Sequence, residues 1–269
     1  MADAIAGAAD RDALPPLIKW AGGKRWLLPE LRKLWQNHKD KRLVEPFAGG
    51  LAISLGLRPE RALLNDINSN LINLYLWIQR GLAINLVMAN NRETYYAYRE
   101  KFNLYNTNGK GGDSETALLF YYLIKTGYNG LCRYNSKGEF NVPFGRYKSI
   151  TYLEDFSAYQ IAFKNWEFRC GDFSKLELRE DDFIYADPPY DRSFSKYHAD
   201  DFGWEDQERL VEWLNNHKGP VVASNLATDR IVRLYRKYGF FTRIIKAPRR
   251  ISCTGDRTPV DEMLAMKGV

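Results

Sequence analysis

The sequence predicts an α/β fold: an open, mainly parallel sheet with helices on both faces, an antiparallel C-terminal edge, and an inserted helical and β-hairpin segment. Three observations carry that expectation. Short strand-like runs alternate with helical ones, which implies right-handed crossovers between parallel strands. The alternation breaks between residues 68 and 153, and the last two apolar runs are placed to close the sheet as an antiparallel edge. The 269 residues suffice for one large domain or a domain with a sizeable insertion. No repeat or low-complexity tract suggests a solenoid or propeller.

Residues 1–14, rich in Ala and Asp, lack the basic start and apolar centre of a secretory signal and read as a disordered tail. A helix is expected over 25–37. The first strand, 42–45, stops at Pro46, and the second, 61–64, stops at Asn65 and Asp66. From 68 to about 88, Leu71, Ile72, Leu74, Tyr75 and Ile78 recur at helical spacing. The second half repeats the alternation, with strands at 166–170, 182–186 and 220–223 and helices at 205–216 and 227–238. Runs 240–246 and 260–267 form the expected edge. The main domain is therefore read as 15–67 with 154–269, interrupted by 68–153.

Composition narrows the function classes. Hydrophobic residues at 45% and charged residues at 27% fit a soluble globular chain, and a net charge of +6 favours a polyanionic partner. Cys132, Cys170 and Cys253, like His38, His198 and His217, have no metal-ligand spacing. Packing or surface duty is expected of all six, with no metal, in a reducing cytoplasm. No segment approaches the roughly 18 uninterrupted apolar residues of a membrane span.

The chemistry concentrates in Asp187-Pro188-Pro189-Tyr190, at the carboxyl end of a strand, where open parallel sheets bind ligands. Two prolines fix φ and remove two donors, leaving the Pro188 carbonyl as an acceptor beside the Asp187 carboxylate and the Tyr190 ring. That set suits an aromatic amine. Two acceptors take its two hydrogens, the nitrogen pyramidalises, and its lone pair turns toward an electrophilic carbon while Asp187 stabilises the growing charge.

A donor site is expected on the neighbouring strands. Glu45 leads into a turn with Gly49 and Gly50, and Asp66 follows 17 residues past Gly49, where an acid binds ribose hydroxyls. The full dinucleotide fingerprint is missing, which argues for a nucleoside without a pyrophosphate. Asp172 is placed either to accept the amine of the donor's adenine or to cap a helix. Lys19, Trp20, Gly22, Gly23 and Lys24 form a basic Gly-containing turn, but not a P-loop, because the longer glycine spacing and the Ser or Thr after Lys are absent.

In the insertion, residues 127–148 read as a hairpin turning at Asn135-Ser136-Lys137-Gly138. Arg133 suits a bidentate bond to guanine, and Asn129 suits a base edge or a phosphate. Tyr128 is a candidate wedge into the stack left by a flipped base, and Arg146 and Lys148 suit phosphates. The plainer possibility is an aromatic-rich solvated hairpin with no partner.

These runs, with 17–24, Asp66 to Ser69, 128–147 and 260–262, resemble the Dam-type site-specific DNA adenine-N6 methyltransferases (D12 class, alpha group) over nearly the whole chain. The resemblance implies a Rossmann-like S-adenosylmethionine-dependent methyltransferase fold, with 15–67 and 154–269 catalytic and 68–153 recognising the DNA target. It implies catalysis at Asp187, Pro188 and Tyr190 on a flipped adenine, and cofactor contacts at Trp20, Lys24, Asp66 and Asp187, which join Glu45, Gly49 and Asp172 as candidates. It also implies duplex-DNA contacts at Lys19, Tyr128, Asn129, Leu131, Arg133, Pro143 and Arg146, a GATC target, S-adenosyl-L-homocysteine as product, and a monomer associated with the nucleoid.

Two departures from the family stand out: Leu51 where many relatives have Gly, and a shorter stretch over 191–201. A cytosine-N4 enzyme would use the same chemistry. A cytosine-C5 enzyme needs a Cys nucleophile, usually after Pro, and none of the 11 prolines precedes Cys. RNA adenine methylation would also fit the tetrapeptide. A DNA-binding module that has lost catalysis should have lost Asp187 or Tyr190, and both are present.

Overall fold

The computed structural model describes residues 14–109, 111–190, 202–248 and 259–269. Residues 1–13 of the tail expected over 1–14, the stretch 191–201 with His198, and Cys253 lie outside the described residues, while Leu14 is held by the Leu55 carbonyl and by Arg25. The strands are β1 (Leu43–Glu45), β2 (Ala62–Asp66), β3 (Trp166–Cys170), β4 (Phe183–Ala186), β5 (Val221–Leu226), β6 (Phe241–Ala247) and β7 (Val260–Lys267). They form a seven-stranded sheet in the order β3-β2-β1-β4-β5-β7-β6. The β1–β2, β1–β4 and β4–β5 pairs are parallel, and β7 pairs antiparallel with both β5 and β6. The fold class expected from the sequence is the one observed.

The strands sit where their composition allows. β1 and β4 are buried along their whole length, as inner strands covered on both faces must be. β6, at the edge, is mostly exposed and carries Arg243 and Lys246, charges that discourage pairing with another chain.

The helices are α1 (Leu28–Trp35), α2 (Ser54–Leu57), α3 (Ser69–Gln79), α4 (Arg92–Thr107), α5 (Ser114–Thr126), α6 (Ser157–Phe163), α7 (Trp204–Asn216) and α8 (Asp229–Lys237). Side-chain caps start several of them: Asn68, Asn91, Asp113 and Thr228 accept the backbone N–H of Leu71, Thr94, Thr116 and Ile231. The helix expected from 68 to about 88 stops at Gln79. Gly81 takes φ 92°, and the Leu82 N–H returns to the Trp77 carbonyl, so the chain leaves the helix although apolar residues continue beyond it.

The chain divides into two compact units, each assembled from separate segments. The first comprises Met1–Arg25, Gly49–Arg58 and Asp66–Cys170. Its centre is α5, buried nearly all round, with α3 and α4 packed against it and Tyr75, Tyr95, Phe102 and Phe120 enclosed. The second comprises Trp26–Ala48, Pro59–Asn65 and Gly171–Val269, with a core of Val44, Ile184, Val221, Leu210, Ile231 and Met263.

At the amino ends of β1 and β4, Arg42 grips Asp182 with both forks of its guanidinium, Nε to Oδ1 at 2.9 Å and Nη2 to Oδ2 at 2.7 Å. Asp182 is fully buried and also accepts the Arg179 N–H. Arg42→Ala would leave that carboxylate buried without its cation, and is expected to cost about 3–5 kcal/mol. A urea melt reading a loss under about 1 kcal/mol, the range of an exposed ion pair, would refute this account of the pair.

Candidate functional site

In the first unit, the turn after β1 is tied to the end of β2 by Asp66. Its Oδ2 accepts the Gly49 N–H and its Oδ1 the Asn68 N–H, both at 2.9 Å. Burial pushes the Asp66 carboxyl above its ordinary range, and the two N–H bonds oppose that shift. Tyr75 donates to the Gly49 carbonyl at 2.6 Å, fixing the turn from below.

Gly49 takes φ 47°. A Cβ there would lie 3.0 Å from Trp20 Cδ1, and one at Gly50 would lie 2.8 Å from Trp20 Cβ. The Trp20 side chain thus packs closely against both glycines. Lys24 is 4% exposed and donates to the Gly22 carbonyl. Leu51, fully buried, holds φ 57° without the freedom of glycine.

In the second unit, parallel pairing brings Glu45, Asn65 and Asp187 to the same carboxyl edge. Three side chains from elsewhere hold the tetrapeptide. Ser224 donates to Asp187 Oδ1 at 2.9 Å, Gln207 to the Pro189 carbonyl at 2.9 Å, and Tyr190 Oη to Glu262 Oε2 at 2.8 Å. No described residue donates to the carbonyl of Pro188, the acceptor singled out from the sequence. Behind Ser224, the Tyr185 hydroxyl lies 2.9 Å from its Oγ, and Asn225 secures Gln207. Tyr235 Oη is buried with no hydrogen-bond partner among the described residues. Asn65 donates to the carbonyls of both Pro46 and Gly171, tying two turns together.

Asp172 takes the capping role that the sequence left open. Its Oδ1 accepts the N–H and hydroxyl of Ser174 at the 3-10 turn Phe173–Lys175, while Arg209 binds both carboxylate oxygens at 2.8–2.9 Å. The guanidinium also lies over the Phe173 ring at 4.6 Å. Arg209 above all holds the Asp172 carboxyl down at about 2.

The expected DNA-contacting residues are brought together in the first unit, on one paired segment. Gly127 bridges Phe144, Tyr134 bridges Phe140, and the Tyr128 N–H bonds the Pro143 carbonyl. The turn falls at the residues expected for it. Asn135 Oδ1 accepts the N–H groups of Lys137 and Glu139, and the Gly138 N–H returns to the Asn135 carbonyl. Asn129 takes φ 54° and Arg146 φ 50°, while Leu131 donates its N–H to the Tyr128 carbonyl.

Lys19 closes the group. A Cβ at Gly130 would collide with its Cβ, and its Nζ stands 4.5 Å over the Tyr147 ring. Tyr128 is 49% exposed, and Lys19, Arg133, Pro143, Arg146 and Lys148 are exposed too. Arg133 Nε donates to Asn141 Oδ1 at 2.7 Å. Burial first, and then the charge of Lys19, holds Lys125 below an ordinary lysine, so two cations share this face.

Sequence reasoning missed Asn65, Tyr185, Gln207, Ser224, Asn141 and Lys125. The available signal was polar residues inside apolar runs, such as Ser224 and Asn225 after Val221, Val222 and Ala223.

The sequence profile of the "D12 class N6 adenine-specific DNA methyltransferase" family matches residues 20–250. The retron Ec67 DNA adenine methylase of Escherichia coli is 37% identical over 94% of this chain and 91% of its own. The DNA adenine methylase of Escherichia coli K12 is 38% identical over 93% and 94%. The DNA N-6-adenine-methyltransferase of Escherichia phage P1 is 36% identical over 89% of this chain and 33% of its own.

The depressed Asp172 carboxyl carries a consequence for acid stability. Folded-state depression means its contribution is present above the unfolded carboxyl value and is lost as pH falls toward about 2. Asp172→Asn is therefore expected to lower stability at neutral pH and to flatten the decline between about pH 5 and pH 3. Parallel pH profiles of wild type and variant would refute this.

Proposed function

The chain belongs to the D12 class N6 adenine-specific DNA methyltransferases, and from that premise we propose that it methylates a flipped adenine in duplex DNA at GATC. The observation that supports this most is the tetrapeptide Asp187 to Tyr190, held at three points with the Pro188 carbonyl left without a protein donor among the described residues. The Pro188 carbonyl and the Asp187 carboxylate accept the two amine hydrogens, so the nitrogen lone pair is released from the ring. Asp187 stabilises the positive charge that forms as the N–C bond is made. The amine becomes acidic only then, so its proton leaves without a strong base. Tyr190, anchored by Glu262, stacks on the base.

S-adenosyl-L-methionine supplies an electrophilic methyl on a sulfonium and leaves as S-adenosyl-L-homocysteine. The donor set fits a nucleoside: Asp66 offers a partly buried carboxylate to ribose hydroxyls, and Ile67 beside it is 76% exposed, an apolar face for a ring. We assign its binding to Trp20, Lys24, Glu45, Gly49, Asp66, Asp172 and Asp187. On Asp172, Arg209 and Ser174 fix the carboxylate plane for a further donor.

Residues 15–67 and 154–269 form the catalytic part in this reading, and 68–153 read the target. Tyr128 wedges into the stack vacated by the base. Arg133, oriented by Asn141 through Nε and a longer contact from Nη2, directs its guanidinium to guanine, while Asn129 meets a base edge or phosphate. Lys19, Leu131, Pro143 and Arg146 complete the DNA contacts. The enzyme acts as a monomer in the cytoplasm, associated with the nucleoid through DNA, and needs no metal. Among the described residues no helix is long and apolar enough to cross a membrane, and no cluster of metal-ligating side chains occurs.

The test uses labelled S-adenosyl-L-methionine with two matched duplexes, one carrying GATC and one with that site scrambled. N6-methyladenine is expected only in the first. Product in both would retain the chemistry and remove the hairpin's assigned target. In a panel of singly altered sites, Arg133→Ala is expected to relax preference at one guanine by about 1–3 kcal/mol. An unchanged preference would remove that contact.

A further inference from the structure

We infer that Ser224 and Tyr185 are positioning residues for methyl transfer: a buried hydroxyl relay that fixes the Asp187 carboxylate in its reactive orientation. The inference rests on the reading of Asp187 as the amine acceptor. Sheet geometry builds the relay. The β4–β5 register pairs Tyr185 with Val222 and Ala186 with Ala223, and Asp187 and Ser224 are the next residues on each strand. Side chains alternate along a strand, so Tyr185 and Asp187 share one face of β4. Ser224 Oγ lies 2.9 Å from Asp187 Oδ1 and 2.9 Å from Tyr185 Oη.

Donor accounting sets the direction. A carboxylate only accepts, so Ser224 gives its single hydroxyl proton to Asp187. Its oxygen must then accept from Tyr185. Burial, and next the negative charge of Asp187, pushes the Tyr185 hydroxyl well above 10, so it remains a donor wherever the enzyme works. Ser224 is fully buried and Tyr185 is 2% exposed, so exchange with solvent hydroxyls is closed to both. Glu262 and Gln207 hold Tyr190 and Pro189 separately, so loss of the relay removes the hold on Asp187 Oδ1 while the turn stays anchored.

The relay also accounts for a serine at the end of an otherwise apolar stretch of β5, where an unpaired hydroxyl would be costly. Its two members act through one atom of Asp187, and that gives the inference a signature that packing alone does not produce. Once Ser224 is gone, Tyr185 has no route to the carboxylate.

The test measures kcat, KM for each substrate and thermal stability for Ser224→Ala, Tyr185→Phe, their double variant, Ser224→Thr and Asp187→Ala. Ser224→Ala is expected to lower kcat about tenfold with KM for DNA and for S-adenosyl-L-methionine little changed, and Tyr185→Phe about threefold. The double variant should match Ser224→Ala, because coupled residues are not additive. Ser224→Thr, which keeps the hydroxyl, should recover most of kcat, and Asp187→Ala should be inactive. An inactive Asp187→Ala beside a wild-type kcat in Ser224→Ala would overturn the relay alone. Multiplicative losses in the double variant would do the same, marking two separate packing defects. Substantial turnover in Asp187→Ala would overturn the reading of Asp187 and the relay with it. Tyr185→Phe, which removes one oxygen and keeps the ring, covers the case in which Ser224→Ala does not fold.

Discussion

Where the strands of a parallel sheet stop, the last backbone groups lose their ladder partners and must find others. This chain meets that demand with side chains at the strand ends. Asn65, the penultimate residue of β2, donates to the Pro46 and Gly171 carbonyls. In the first unit Asp66 takes the N–H groups of Gly49 and Asn68. In the second, Gln207 takes the Pro189 carbonyl. The residues that shape the candidate site are therefore also those that terminate the strands, and a change there alters geometry and chemistry together.

That arrangement puts polar groups where water cannot replace a lost partner. Tyr185, Ser224, Gln207, Asn225 and Glu262 are each no more than 2% exposed; Tyr185 bonds Ser224, Asn225 bonds Gln207 and Glu262 bonds Tyr190, each near 3 Å. Buried polar pairs of this kind favour one arrangement, because a member that loses its partner has no water to replace it. The Arg42–Asp182 pair does the same at the opposite ends of β1 and β4. Between these two polar ends the sheet is apolar, so strand register is pinned at both.

Much of this is legible in the sequence, for identifiable reasons. Strand positions show because parallel strands are apolar runs closed by turn residues such as Pro46 and Asp187-Pro188, although β2 runs through Asn65 to Asp66, beyond the stop expected at Asn65. The strand expected over 166–170 coincides with β3 at both ends. The tetrapeptide and the hairpin turn show because proline and the Asn-Ser-Lys-Gly order have few conformations. Helix α3 is shorter than its apolar content suggests, because Leu82, Leu86 and Val87 sustain that content past a glycine that has already turned the chain. The supporting shell stays hidden, since Ser224 and Gln207 gain meaning only from neighbours 37 and 18 residues away in the chain. Leu51 stands out only through family resemblance, and its left-handed backbone explains why glycine is the easier occupant there.

The sheet order β5-β7-β6 sets a schedule for biosynthesis. The final strand, Val260–Lys267, lies between β5 and β6 and provides the sheet partner for both. During translation β6 is made before its sheet partner β7, and it stays unpaired until β7 has left the ribosome. Glu262, the anchor of Tyr190, arrives on that same strand. A nascent chain whose β7 has not yet emerged thus lacks both the strand that joins β5 to β6 and one of the three holds on the tetrapeptide. The closing strand of the sheet and the anchor of Tyr190 are thus gained in one step.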